Sequence, residues 1–152
     1  MLNKKILILI VIVLALILPI YLVACIPKNN EVVKIQTDRD TYIPLMSSTV
    51  GIGLTPIYIS KRNLDTVKFY WQTSYGYFES WSPPDFKVYL LGEDITNNGE
   101  KIYWTYDPNE MGIQKPSVKI SLKIEDARSE RLLTETSLEI NWEDTDTAKV
   151  KK

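Results

Sequence analysis

The chain has 152 residues, 18 basic against 19 acidic, with one cysteine and no histidine. The missing imidazole removes the usual general base near neutral pH, the histidine-containing triads, and the usual zinc and iron ligand sets. A net charge of −1 comes with no basic stripe for nucleic acid and no polybasic patch for anionic lipid, and neither a cofactor nor a metal is expected.

The chain begins with Lys4 and Lys5, followed by an apolar run from Ile6 to Ile26 that holds no charged residue. A charged start, an apolar stretch and a small residue before a cut make a secretory signal. The run is also long enough to span a bilayer as an uncleaved helix, with the lysines on the cytoplasmic side. Pro19 interrupts it late, and the single cysteine closes it in the order Leu22-Val23-Ala24-Cys25.

That tetrapeptide resembles a bacterial lipobox. The resemblance implies cleavage after Ala24 and a lipidated Cys25 as the new N-terminus, carrying acyl chains such as palmitate. Two or more chains suffice for stable anchoring, where one does not. The expected location is the extracytoplasmic face of a bacterial cell membrane, lipid-anchored. Acylation of Cys25 would also leave no free thiol, so thiol catalysis and disulfides drop out. Without Met1 to Ala24 the chain keeps 128 residues and 16 basic against 19 acidic, a net charge of about −3. That is enough for one domain with a proper core.

Residues 25–31 read as the lipidated cysteine and a short polar spacer. From there the hydrophobic period is two. Val33 and Ile35 mark a first strand. Val50, Ile52 and Leu54 alternate with Gly51, Gly53 and Thr55 as a second. Val67, Phe69 and Trp71 alternate with Lys68, Tyr70 and Gln72 as a third, which puts Trp71 inside and Tyr70 on the opposite face. Tyr75 to Trp81, with Ser80, Ser82, Pro83 and Pro84 around its end, reads as an aromatic loop. Lys87 to Leu91 and Lys101 to Tyr106 are further strand candidates, the latter after an Asn98-Gly99 turn. Val118, Ile120, Leu122 and Ile124 alternate with polar residues, and so do Leu138, Ile140 and Trp142. With a turn at Asp126 to Glu130 these two predict a hairpin. Trp104 and Trp142 are expected in or against the core. Residues 143–152 are charged and predict a frayed tail.

About seven short strands separated by Pro, Gly and Asn clusters predict an all-β, antiparallel sandwich over residues 32–142. The stretches Val67 to Trp71, Gly76 to Phe78, Ile102 to Trp104 and Val118 to Asp126 resemble bacterial Ig-like or PKD-like extracellular domains. The PKD aspartate-glycine motif is replaced by Gln72-Thr73-Ser74-Tyr75-Gly76, and the Ig cysteines are absent. The resemblance implies a non-catalytic module for adhesion, spacing or recognition.

Loop aromatics can stack on sugars or on a protein partner, because Tyr and Trp combine rigid area with a polar tip. Tyr75, Tyr77 and Trp81 are the expected binding residues, with Tyr70, Trp71, Phe78 and Tyr89 as aromatic neighbours. The bland alternative is that these rings cover one end of the core. Acidic groups at Asp38 and Asp40, at Glu93 and Asp94, and at Asp107, Asn109 and Glu110 could offer oxygens to calcium, but none matches a full calcium loop. They read as solvated turns. Paired carboxylates for glycoside hydrolysis would need a cleft that a small sandwich lacks, so the protein is not expected to be an enzyme.

The leading expectation is a membrane-anchored lipoprotein whose Ig-like domain meets an envelope protein or a glycan. One alternative is an accessory or sensor subunit of a membrane signalling receptor, because Trp71 to Trp104 faintly resembles extracytoplasmic domains of membrane-embedded signalling peptidases. Another is a carbohydrate-binding module, which would require an exposed, roughly coplanar pair of aromatics.

Overall fold

The computed structural model describes residues 31–84 and 86–151. Cys25, the lipobox and the proposed signal peptide lie outside them. In chain order the strands are β1 (Val32–Thr37), β2 (Thr41–Tyr42), β3 (Ile52–Ile59), β4 (Val67–Thr73), β5 (Tyr77–Trp81), β6 (Val88–Gly92), β7 (Asp94–Asn97), β8 (Ile102–Thr105), β9 (Val118–Asp126), β10 (Leu132–Trp142) and β11 (Ala148–Val150). Single-turn 3₁₀ segments precede β4 (Leu64–Thr66) and follow β8 (Pro108–Glu110).

These strands form two antiparallel sheets. The first runs β1-β3-β8-β5-β6 and the second β2-β11-β10-β9-β4-β7. The all-β, antiparallel sandwich expected from the alternation is what the chain forms. Alternation places one set of side chains inside: on β9, Val118, Ile120, Leu122 and Ile124 are buried while Lys119 and Lys123 are exposed. Val67, Phe69 and Trp71 do the same on β4. Trp71, Trp104, Phe69 and Phe78 lie fully buried at the centre. A large apolar side chain taken wholly out of water contributes roughly 1.5–3 kcal/mol, so these four anchor the contact between sheets.

Hairpin β9–β10 turns where expected. Asp126 holds the turn, its Oδ1 accepting from the backbone N–H groups of Arg128 at 3.1 Å and Ser129 at 3.0 Å. Those backbone donors are the main reason its carboxyl pKa lies below the usual value. The next strand begins with a register shift between Leu132 and Thr134, so Leu133 turns inward and Leu132 outward.

The structure adds the short strands β2 and β7 to the sequence reading and overturns it in two further places. Tyr77–Trp81 is not loop but strand β5, central in the first sheet between β8 and β6. Gly76, at φ +72°, makes the entry: a Cβ there would sit 2.3 Å from the Thr105 carbonyl oxygen, so the chain needs glycine to turn this close to β8. The expected tail is also not frayed. Ala148 and Val150 are buried in β11, which pairs with β10 and β2. Two apolar side chains on one face of a three-residue strand suffice to dock it.

Candidate recognition face

Inside β5 only Phe78 points into the core, fully buried. Its neighbours one residue either way therefore face outward, and Tyr77, Glu79 and Trp81 share the outer surface of the first sheet. All three are half-buried. Glu79 stands directly opposite Tyr103 on β8 and Leu90 on β6. Trp81 stands opposite Val88. The Glu79 carboxylate is thus framed by Tyr77 and Trp81 along its own strand, and by Tyr103 and Leu90 across it.

The Trp81 ring lies 5.6 Å from Tyr103 at 75°, and 5.5 Å from Phe86 at 55°. Its Nε1 donates to the Phe86 carbonyl at 3.0 Å. Tyr103 in turn lies under the Lys101 ammonium, 4.8 Å from the ring centre. Lys101 is committed to Asp38, at 2.8 Å from Oδ2. Among the described residues no group donates a hydrogen bond to Glu79, and burial pushes its carboxyl pKa up. Taking a carboxylate partly out of water with no protein donor in exchange costs stability.

Beside this face runs an apolar edge. β6 closes one side of the first sheet, and Val88, Tyr89, Leu90 and Leu91 are all exposed, Leu90 to 70%. An edge strand presents unpaired N–H and C=O groups. Soluble proteins usually blunt such edges with charge or cover, whereas this one carries four large apolar side chains in a row.

Of the three residues expected to bind, Tyr77 and Trp81 belong to this face and Tyr75 does not. Tyr75 precedes the strand and packs edge-on against Trp142, 6.3 Å between rings. Its hydroxyl donates to Glu110, and its carbonyl accepts from Trp104 Nε1 at 2.9 Å. Burial, followed by the Glu110 bond, drives its phenol pKa upward. Tyr75 therefore serves packing at the other end of the sandwich. Trp81 is coplanar with neither Tyr103 nor Phe86, which it meets at 75° and 55°. Trp104 and Trp142 take the core positions expected of them.

Of the acidic residues, Asp38, Asp107 and Glu110 serve as structural ties. Asp38 accepts from Gly53 N at 2.9 Å as well as from Lys101 and Arg39. Asp107 caps the short turn that follows it, accepting from Asn109 N at 2.8 Å. Among the described residues no three metal-ligating side chains converge. Sequence reasoning missed Glu79, Tyr103, Val88 and Leu90. The signal available was a glutamate with aromatic residues two positions to each side, which becomes a surface only once that stretch is recognised as strand.

No protein family, curated protein or solved structure matches the chain.

Proposed function

We propose that this protein is a membrane-tethered, extracytoplasmic lipoprotein whose Ig-like β-sandwich is a non-catalytic recognition module. The observation that carries the proposal is the surface made by β5, β6 and β8. There Glu79, a carboxylate with no hydrogen-bond donor among the described residues, lies among Trp81, Tyr103 and the exposed Val88 and Leu90 of the β6 edge. Buried aromatic anchors beside a charge, with apolar residues that exclude water, are the ordinary anatomy of a protein-binding surface. The unpaired β6 edge offers main-chain hydrogen bonds to an added strand.

The lipobox-like Leu22-Val23-Ala24-Cys25 supports the tether. Tethering raises the effective concentration of the module toward partners at the same membrane. An envelope protein fits this face better than a glycan, because the rings offer no flat stacking platform.

The test places a photo-crosslinking amino acid at Leu90 in intact cells, with the same group at Lys34 on β1, the opposite edge of the sheet. The proposal expects one discrete adduct from Leu90 and none from Lys34. Equal labelling from both edges would contradict it.

A further inference from the structure

Exposed apolar residues also gather at one end of the sandwich, around a salt bridge that ties the two sheets together. Arg62 donates through Nε to Glu31 Oε1 at 2.7 Å and through Nη1 to Asp126 Oδ2 at 3.1 Å. Tyr58 adds its hydroxyl to Glu31 at 2.9 Å. Four large apolar side chains lie close to this bridge in sequence or register. Val32 follows Glu31 and pairs with Ile59; they are 45% and 59% exposed. Leu64, two residues after Arg62, is 53% exposed, and Leu132, opposite Glu125 in the hairpin that Asp126 turns, is 46% exposed. The hydrogen bond from Ala127 N to Thr66 O, 2.8 Å, holds the Leu64 segment against that hairpin.

This is the end at which the described chain begins. Only residues 26–30 separate Cys25 from Glu31. Even fully extended, such a spacer reaches about 20 Å, at roughly 3.5 Å per residue. Whether Cys25 carries lipid or the apolar run stays as a helix, a bilayer surface therefore lies within that reach of Glu31, the residue before Val32 and a partner in the salt bridge at this end.

We propose that this end of the sandwich is a membrane-contact surface, on which Val32, Ile59, Leu64 and Leu132 enter the headgroup–acyl boundary. Apolar side chains gain by leaving water at that boundary. Exposed Lys61, Arg128 and Arg131 beside them can keep their charges at headgroup level while their stems lie along the apolar surface. A short tether alone would let the domain tumble, whereas a second contact fixes its orientation and holds the β5–β6 face at a constant angle to the membrane. The inference rests on the anchored reading of the N-terminus and not on the identity of any protein partner.

The experiment uses the full chain in phosphatidylethanolamine–phosphatidylglycerol vesicles in which a fraction of the lipid carries a diazirine near the headgroup. After illumination, adducts are mapped by mass spectrometry. Leu45 and Met46 serve as internal controls, because at 83% and 76% they are more exposed than any of the four. Adducts should concentrate at Val32, Ile59, Leu64 and Leu132. The double variant Leu64→Asp with Leu132→Asp should lose labelling several-fold while its melting temperature stays close to wild type. Equal labelling of Leu45 and Met46, or undiminished labelling in the double variant, would overturn the proposal. An absence of adducts on this end would overturn it too, and if the Leu90 crosslink persisted, the recognition face would stand without the membrane contact.

Discussion

The ammonium of Lys115 lies 2.6 Å from the carbonyl oxygen of Thr145. It also donates to Ile113 O at 3.0 Å and faces the rings of Tyr106 and Trp142 at 4.8 and 5.0 Å. The side chain is only 1% exposed, with Asp146 at 3.4 Å as counter-charge. A lysine this deep survives because each part of its head is answered: by carbonyls, by a carboxylate and by two ring faces. It clamps the segment before β9 to the turn between β10 and β11.

Replacing Lys115 with methionine keeps the apolar stem and removes the clamp. The Ile113 and Thr145 carbonyls then lose the ammonium as donor, and Asp146 loses its counter-charge while still accepting from Gly112 N and the Thr145 hydroxyl. The expected cost is about 1–3 kcal/mol, measured by denaturant unfolding. Amide exchange should rise most across residues 143–147.

β11 itself is held by burial and by pairing with β10 and β2. Removing residues 148–152 deletes the buried Ala148 and Val150, and with them the hydrogen bond from Val150 N to Asp40 O, 2.8 Å. The truncated chain should lose about 2–4 kcal/mol of stability. A frayed tail would have cost nothing, so urea midpoints of the two forms decide between the descriptions.

Trp71 and Trp104 are equally buried but differently satisfied. Trp104 Nε1 donates to Tyr75 O at 2.9 Å, whereas Trp71 Nε1 is buried without a hydrogen-bond partner among the described residues. Phenylalanine at either site leaves a similar void. At position 104 it also removes one of the two hydrogen bonds that the Tyr75 carbonyl accepts, the Thr73 hydroxyl keeping the other at 2.7 Å, and at 71 it removes a donor that already had nothing to bond. Trp104→Phe should therefore destabilise more than Trp71→Phe, by about 1 kcal/mol. Equal losses in chemical denaturation would show that the indole bond contributes nothing.

Much of the fold was legible because the core strands alternate cleanly. Val118 to Ile124 and Val67 to Trp71 give period two without interruption, and both are strands. β5 was illegible because its outward side chains are themselves aromatic. With Tyr77 and Trp81 outside and Phe78 inside, hydrophobicity does not alternate, and the prolines just beyond suggested a loop. β7 is a polar edge, β2 has two residues, and β11 lies in a charged stretch. For such short pieces the pairing partner, not the local pattern, makes the strand. The recognition face suffered for the same reason. Tyr77 and Trp81 were identifiable as aromatics, but Glu79 and Leu90 gain their meaning from cross-strand register, which distant parts of the chain determine.

Glu79 makes a prediction in pH. Its carboxyl pKa is raised in the folded protein because burial disfavours the charge. The folded state therefore holds this proton more tightly than the unfolded chain. Stability contributed by this group is greatest in acid and falls as pH rises through the ordinary carboxylate pKa toward the folded value. Glu79→Gln removes that penalty. At neutral pH the variant should be as stable as wild type or slightly more so, by less than about 1 kcal/mol since the group is partly solvated, and the gain should vanish at acid pH. Its Leu90 crosslink should weaken at the same time. A variant that lost stability at neutral pH while crosslinking normally would make Glu79 a structural residue.

In the proposed function an acylated tether delivers the β5–β6 face to a partner. This delivery is tested most directly by comparing the Leu90 adduct in wild-type cells with that in Cys25→Ala cells, alongside the intact mass of each membrane-extracted protein. The expected result is a wild-type mass that starts at Cys25 with added acyl chains, an acyl mass absent from the variant, and a Leu90 adduct that falls several-fold when the tether is lost. A wild-type protein that retains Met1 to Ala24, or an adduct of equal yield in both strains, would contradict it.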